Sequence, residues 1–148
     1  MNNSVQKYDV LIAGTGVAGL CCALNLPADM RVLMLSKAKA DESDSFLAQG
    51  GICMLRGEED FAAYFEDTMR AGHYENDPDA VRLMLASSQD MISELVENGV
   101  QFARDGEGNF RFTREGGHSR PRILFHDDVT GREITSKLLA RVRERKNV

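Results

Sequence analysis

At 148 residues, 43% of them hydrophobic and 28% charged, the chain has the length of one domain and enough apolar content for a packed core, which excludes a disordered polypeptide. A net charge of -5 argues against a nucleic-acid binder, and no apolar run reaches the roughly 18 residues that a membrane span needs. Residues 1–7 lack the apolar core of a signal peptide, so the expected location is cytoplasmic. The three cysteines, adjacent Cys21 and Cys22 with Cys53 apart, match neither a zinc spacing nor an even disulfide set. They are expected to be small buried apolar residues.

The apolar run from Tyr8 to Ala13 predicts a strand, and it leads into Gly14-Thr15-Gly16-Val17-Ala18-Gly19. This is the dinucleotide fingerprint in its proper setting: one glycine makes the tight turn, one admits a pyrophosphate to the backbone, one lets helix and strand pack closely. The following helix would present unpaired N–H groups and a positive dipole end to the phosphates. A helix is expected over Val17–Leu26, stopped by Pro27, and then a fully buried strand of a parallel sheet over Arg31–Leu35. NAD-binding folds commonly end this second strand on a carboxylate, whereas Ser36 and Lys37 stand there in this chain. The motif leaves FAD and NAD(P) both open.

Residues 38–51 are polar, then small, without a sustained period, and read as a long functional loop. Phe61, Tyr64, Phe65, Thr68 and Met69 recur at helical spacing. Val81, Met84, Leu85, Met91, Ile92, Leu95 and Val96 do so again, in a helix starting at Asp77-Pro78 and stopping at Gly99. Both stripes, methionines included, are expected in the core. A hairpin is expected between Val100–Arg104 and Asn109–Thr113. A last helix from Thr130 carries Ile134, Leu138 and Val142 on one face. The sequence stops where another strand is expected, so the sheet would keep an exposed edge and the chain reads as the N-terminal part of a longer protein, or one completed by a partner.

Charge is uneven: residues 1–102 hold 7 basic and 16 acidic side chains, residues 103–148 hold 11 and 7. The arginines are scattered through hairpin, loop and helix, which suits solvated faces or a small anionic ligand better than a nucleic acid. Two stretches carry candidate chemistry. In Ser45-Phe46-Leu47-Ala48-Gln49-Gly50-Gly51-Ile52, glycines beside a glutamine allow a flat ligand close to the backbone and offer donors to its polar edge; a glycine turn entering a strand is the plainer alternative. Between Thr113 and Ile123, Glu115, His118, Arg114, Arg120 and Arg122 crowd around Gly116 and Gly117, suiting either an anion-recognising loop or a solvated basic one. His118 is expected to be structural rather than an acid or base, and His73 and His126 have weaker claims.

The order DVLIAGTGVAGL, LMLSK, SFLAQGGI and FTREGGHSRPRILFHDDVTGRE resembles the N-terminal part of the L-aspartate oxidase family, flavoproteins of the succinate dehydrogenase and fumarate reductase superfamily. AQGG is shared across that superfamily; the TREGGHS block followed by RIL and TGRE is the specific part. The resemblance implies an α/β fold, a Rossmann-like FAD-binding domain with an incomplete parallel sheet, plus helices and a β-hairpin, over residues 1–148. The capping and C-terminal helical domains would be absent. It implies that Gly14, Thr15, Gly16, Val17, Ala18 and Gly19 hold the FAD pyrophosphate and that Ser36 and Lys37 lie at the adenosine ribose. Asp44, Ser45, Phe46, Leu47, Ala48, Gln49, Gly50 and Gly51 would line the flavin. The membrane-bound relatives carry a covalently linking histidine where Asp44 stands, so noncovalent FAD is expected. The implied activity is oxidation of L-aspartate to iminoaspartate with O2 or fumarate as acceptor, in quinolinate and NAD biosynthesis, with Glu115 orienting the substrate amino group. A quinolinate synthase partner is implied as well. Alone, the chain would bind FAD weakly and be inactive. A fumarate reductase or succinate dehydrogenase type of protein, or a non-catalytic nucleotide-binding fragment, stays open as an alternative.

Overall fold

The computed structural model describes residues 6–148; residues 1–5, and with them most of the segment read for a signal peptide, lie outside the described residues. The chain divides into two compact units, one ending at Ala48 and resuming at Gly131–Val148, the other spanning Gln49–Thr130.

In the first unit, β1 (Val10–Ala13) pairs in parallel with β2 (Val32–Leu35) from Val10↔Val32 to Ala13↔Leu35, with α1 (Val17–Asn25) as the crossover. The helix stops at Leu26, whose extended backbone is what the residue before a proline is driven to adopt. Ile12, Leu20, Ala23 and Val32 are buried, and so are Ile134, Leu138, Leu139 and Val142 from α5 (Thr130–Glu144), as the spacing of that helix predicts. The expectation of a fully buried second strand is not met. Only Val32 of that strand is enclosed, while Leu35, like Leu11 of β1, is exposed (49% and 62%), because a parallel sheet is buried by helices on both faces and the described elements leave part of this one uncovered. The open edge of β2 receives one bond, the Val32 N–H donating to the Asn147 carbonyl (2.8 Å), and the Arg145 guanidinium caps the end of α1, donating to the carbonyls of Leu24 (2.7 Å) and Leu26 (2.6 Å). The loop after β2 is not wholly irregular. It contains α2 (Asp44–Leu47), a single turn capped by the Ser43 hydroxyl, which accepts from the Phe46 N–H at 3.2 Å.

In the second unit, β3 (Ile52–Cys53) pairs antiparallel with β4 (Ile123–Leu124). Two-residue strands carry no period; β3 is the strand that a glycine turn at Gly50-Gly51 enters on the plainer of the two expectations for that stretch, and β4 has no signal of its own. A 3-10 turn at Glu58–Asp60 leads into α3 (Phe61–Ala71), followed by α4 (Pro78–Glu97). Asp77 caps α4 as expected, its carboxylate accepting from the N–H groups of Asp79 (2.8 Å) and Ala80 (3.3 Å). Tyr64, Met69, Val81 and Leu85 form the core cluster, with Cys53, Leu55, Phe61 and Phe65 packed against it. One expectation fails here and one is met only in part. Met84 and Met91 lie on the outer side of α4, 49% and 38% exposed, while Ser88 takes an inward position where its hydroxyl accepts from the Leu55 N–H and donates to the Leu85 carbonyl. The hairpin is reduced to one bridge, Arg104↔Phe110, with Arg111 N–H donating to the Ala103 carbonyl, rather than two regular strands. Of the cysteines, Cys21 and Cys53 are half-buried and Cys22 is exposed, so none is the fully buried residue expected.

Candidate functional site

The fingerprint of the first unit has the geometry its glycines predict. Gly14 turns the chain out of β1 at φ +111°, a left-handed value that favours glycine, and its N–H donates to the Leu35 carbonyl at 2.7 Å. Gly16 is the N-cap of α1 and gives it no side-chain cap. A methyl group on Gly19 would overlap the Gly14 carbonyl oxygen, so the first turn of the helix lies directly on the turn that precedes it. Thr15 is buried and Ala18 faces outward. This cradle fits a pyrophosphate: backbone N–H groups at a helix start, no Cβ in the way, and a positive dipole end.

Ser45 stands at the same place. Its hydroxyl accepts from the Val17 N–H at 3.2 Å, and a Cβ on Gly16 would sit 3.0 Å from it. The Ser45 oxygen thus occupies the first N–H of α1, the kind of donor that a phosphate oxygen accepts from. Two residues not singled out as site residues hold this segment. Gly131 donates its N–H to the Ala48 carbonyl (2.9 Å) at a place where a Cβ would overlap the Ser45 carbonyl, and the Arg132 guanidinium stacks over the Phe46 ring at 5.4 Å. The TGRE element was the available signal. Asp44 and Leu47 point to solvent, Leu47 at 72% exposure, and Ser36 and Lys37 are exposed just past β2, where the Ser36 hydroxyl bonds the Ala38 carbonyl.

In the second unit the two sequence-flagged stretches meet. Glu115 is exposed, and its Oε2 lies 3.4 Å from where a Cβ on Gly50 would stand. The loop that carries Glu115 is pinned at its ends by paired hydrogen bonds between Thr113 and Ile123 (2.9 and 3.1 Å). Behind it, Arg122 is completely buried rather than presented to an anionic ligand. Its fork donates to Asp60 through Nε (3.0 Å) and Nη2 (2.8 Å), and Nη1 donates to Asp67 Oδ2 (2.7 Å) and His118 Nδ1 (3.2 Å). The Tyr64 ring lies 4.8 Å below the guanidinium. Asp67 also accepts from the Ser119 N–H (2.7 Å) and hydroxyl (2.6 Å) and from Arg70 (2.6 Å).

Burial of Asp67 works to raise its pKa, and the Ser119 and Arg122 donors overrule it, holding the carboxyl well below the usual carboxylate range. Hydrogen bonds from Arg122 lower Asp60 against the opposing effect of burial, and burial pushes the Cys53 thiol up. Within the basic stretch Arg120 lies 3.8 Å from Asp60; outside it, Arg56, Arg104 and Arg111 stack over Phe112, Phe110 and Phe125 at 4.6, 4.1 and 5.7 Å. His126 bonds the Gln101 carbonyl through Nδ1, and His73 sits in a left-handed turn after α3; neither is near Glu115 in the contacts described.

Residues 9–148 match the FAD binding domain family. The chain is 46% identical over 140 residues to the L-aspartate oxidase of Clostridium perfringens and 42% identical over 142 residues to that of Clostridium acetobutylicum, covering 95% and 96% of this chain. It spans about a third of the length of those relatives, 32% and 33%. Among solved structures, Mycobacterium smegmatis Sdh1 in complex with UQ1 superposes with a TM-score of 0.85 at 28% identity, covering 95% of this chain and 25% of that one. A quinol-fumarate reductase with menaquinol superposes at 0.87 and 24% identity with the same two coverages, a likeness of fold. With the fingerprint cradle in place and residues 9–148 matched by the family model, the chain belongs to the FAD binding domain family, and FAD is its cofactor.

Proposed function

We propose that residues 1–148 are the N-terminal part of the FAD-binding domain of an enzyme that oxidises L-aspartate to iminoaspartate, with O2 or fumarate as electron acceptor. The capping and helical C-terminal domains of such an enzyme lie outside this segment. The observation that carries the reading is Glu115 against Gly50. A carboxylate beside the AQGG backbone suits the ammonium group that distinguishes L-aspartate from succinate. Similarity to L-aspartate oxidases over 95% of the chain supports it. Bound FAD supplies the hydride acceptor; the protein's task is to hold the substrate in line and exclude competing orientations.

In this reading Gly14, Thr15, Gly16, Val17, Ala18 and Gly19 hold the pyrophosphate and Ser36 with Lys37 meets the adenosine ribose. Asp44, Ser45, Phe46, Leu47, Ala48, Gln49, Gly50 and Gly51 line the flavin. β1, α1 and β2 form the first half of a Rossmann-type sheet, and the Arg104–Phe110 bridge is the neck of a short hairpin. The substrate is a dicarboxylate, the setting cytoplasmic, and a quinolinate synthase takes up the labile imine. FAD is held noncovalently, because Asp44 offers no imidazole for a link. Acid precipitation should leave the flavin in the supernatant; yellow protein in the pellet refutes this. Gly19→Ala should weaken FAD binding by about tenfold or more, the cost of overpacking a methyl against the Gly14 carbonyl. Fluorescence titration measures it, and an unchanged affinity contradicts the cradle.

The fold likeness to a quinol-fumarate reductase favours a second reading, succinate or fumarate chemistry without amino-group recognition. Oxygen consumption by the complete FAD-loaded enzyme separates the two. Turnover with L-aspartate and little with succinate supports the oxidase; the reverse supports the alternative.

A further inference from the structure

We propose that Arg122 is a positioning residue that sets Glu115 relative to Gly50, through His118 on one side and the β3 strand on the other. The inference rests on the reading of Glu115 as the ammonium-recognising carboxylate. A guanidinium has donors only, so at 3.2 Å it fixes His118 Nδ1 as an acceptor. The neutral ring then carries its proton on Nε2, facing Cys53 Sγ at 3.4 Å, and its edge meets the Tyr64 ring at 6.0 Å. An imidazole whose Nδ1 lone pair is engaged by Arg122 and whose Nε2 faces β3 is an anchor, not a base. The tether from this anchor to Glu115 is short: the His118 N–H donates to the Glu115 carbonyl at 3.3 Å.

The main chain of Arg122 makes the other attachment. Its carbonyl accepts from the Met54 N–H at 2.9 Å, and the next residue, Ile123, pairs with Cys53. Gly50 and Gly51 run directly into that strand. One residue therefore holds the Glu115 loop by its side chain and the glycine segment by its backbone. Asp60 and Asp67 fix the guanidinium in place, and Ser119, on the same loop, donates twice to Asp67. This arrangement gives a completely buried arginine in a basic loop a task that packing alone does not require.

The test uses the complete FAD-loaded enzyme with His118→Phe, Arg122→Lys and each of these combined with Glu115→Gln. His118→Phe keeps the ring against Tyr64 and leaves Arg122 both carboxylates, so it preserves folding where Arg122→Lys fails to fold. His118→Phe is expected to raise the KM for L-aspartate by about tenfold while kcat and the KM for fumarate change by less than about twofold. In the Glu115→Gln background the effect on aspartate should vanish. An equal effect on both substrates, or the same effect in both backgrounds, overturns the inference while leaving the aspartate reading intact. If the parent does not oxidise L-aspartate, that reading fails by itself. The inference is then decided by cross-linking Gly50→Cys to Glu115→Cys with a short bis-thiol reagent. His118→Phe should slow the cross-link by about tenfold, since the fixed geometry supplies the effective concentration; an unchanged rate overturns it.

Discussion

Glu115→Gln in the complete FAD-loaded enzyme should raise the KM for L-aspartate by about 10- to 100-fold while fumarate reduction changes by less than about threefold. The range follows from a hydrogen bond to a charged group, worth about 1.5–3 kcal/mol, converted to affinity. Glutamine keeps the length and one carbonyl acceptor, so the loop pinned by Thr113 and Ile123 is retained. What is lost is the negative charge next to Gly50. Fumarate has no ammonium group and is the internal control. Steady-state kinetics in both directions measures the ratio, and equal loss with both substrates rules out recognition of the amino group.

Arg122→Met should destabilise the protein by about 3 kcal/mol at pH 7, the cost of leaving two buried carboxylates with only the exposed Arg70 and Arg120 as cationic partners. The Asp60 and Asp67 side chains are each only 3% exposed, so water cannot replace the guanidinium. The pH dependence has a definite sign. Both carboxyls are lowered in the folded protein, so their contribution is fully present above the unfolded carboxylate pKa of about 3.9. It is lost as pH falls below that value toward the folded one. The parent should therefore lose stability below about pH 4. The variant, whose carboxyls are no longer held low by Arg122, should lose less, and the gap between them should narrow. Urea unfolding at pH 7 and pH 3 tests this. A difference below about 1 kcal/mol at pH 7, or a gap undiminished at pH 3, contradicts the role given to the cluster.

Local pattern made much of the molecule legible. The Gly14–Gly19 turn, the stop before Pro27, the Asp77 cap and the inward stripe of α5 each depend on residues within a few positions of one another, and each stands where the spacing places it. What the sequence hid depends on distant partners. Arg122 reads as one more cation of a basic loop until Asp60 and Asp67, 62 and 55 residues earlier, are found around it. A trace existed: two aspartates seven residues apart stand on one side of two helical turns. Met84 and Met91 fit the α4 stripe by period, yet the apolar arc is wider than the face that the neighbouring elements cover. At the candidate site, the AQGG and TREGGHS stretches could be named individually from sequence. Their juxtaposition could not, because Gly50 and Glu115 are joined through the β3–β4 pairing, and strands of two residues leave no period to read.

The most direct test of amino-acid oxidation by this protein is an anaerobic single turnover of the complete FAD-loaded enzyme with L-aspartate, following flavin absorbance and assaying the quenched products. The expected result is bleaching of the flavin with one oxaloacetate and one ammonium released per FAD reduced, the hydrolysis products of iminoaspartate. A flavin that L-aspartate leaves oxidised while succinate bleaches it would contradict the role assigned to Glu115.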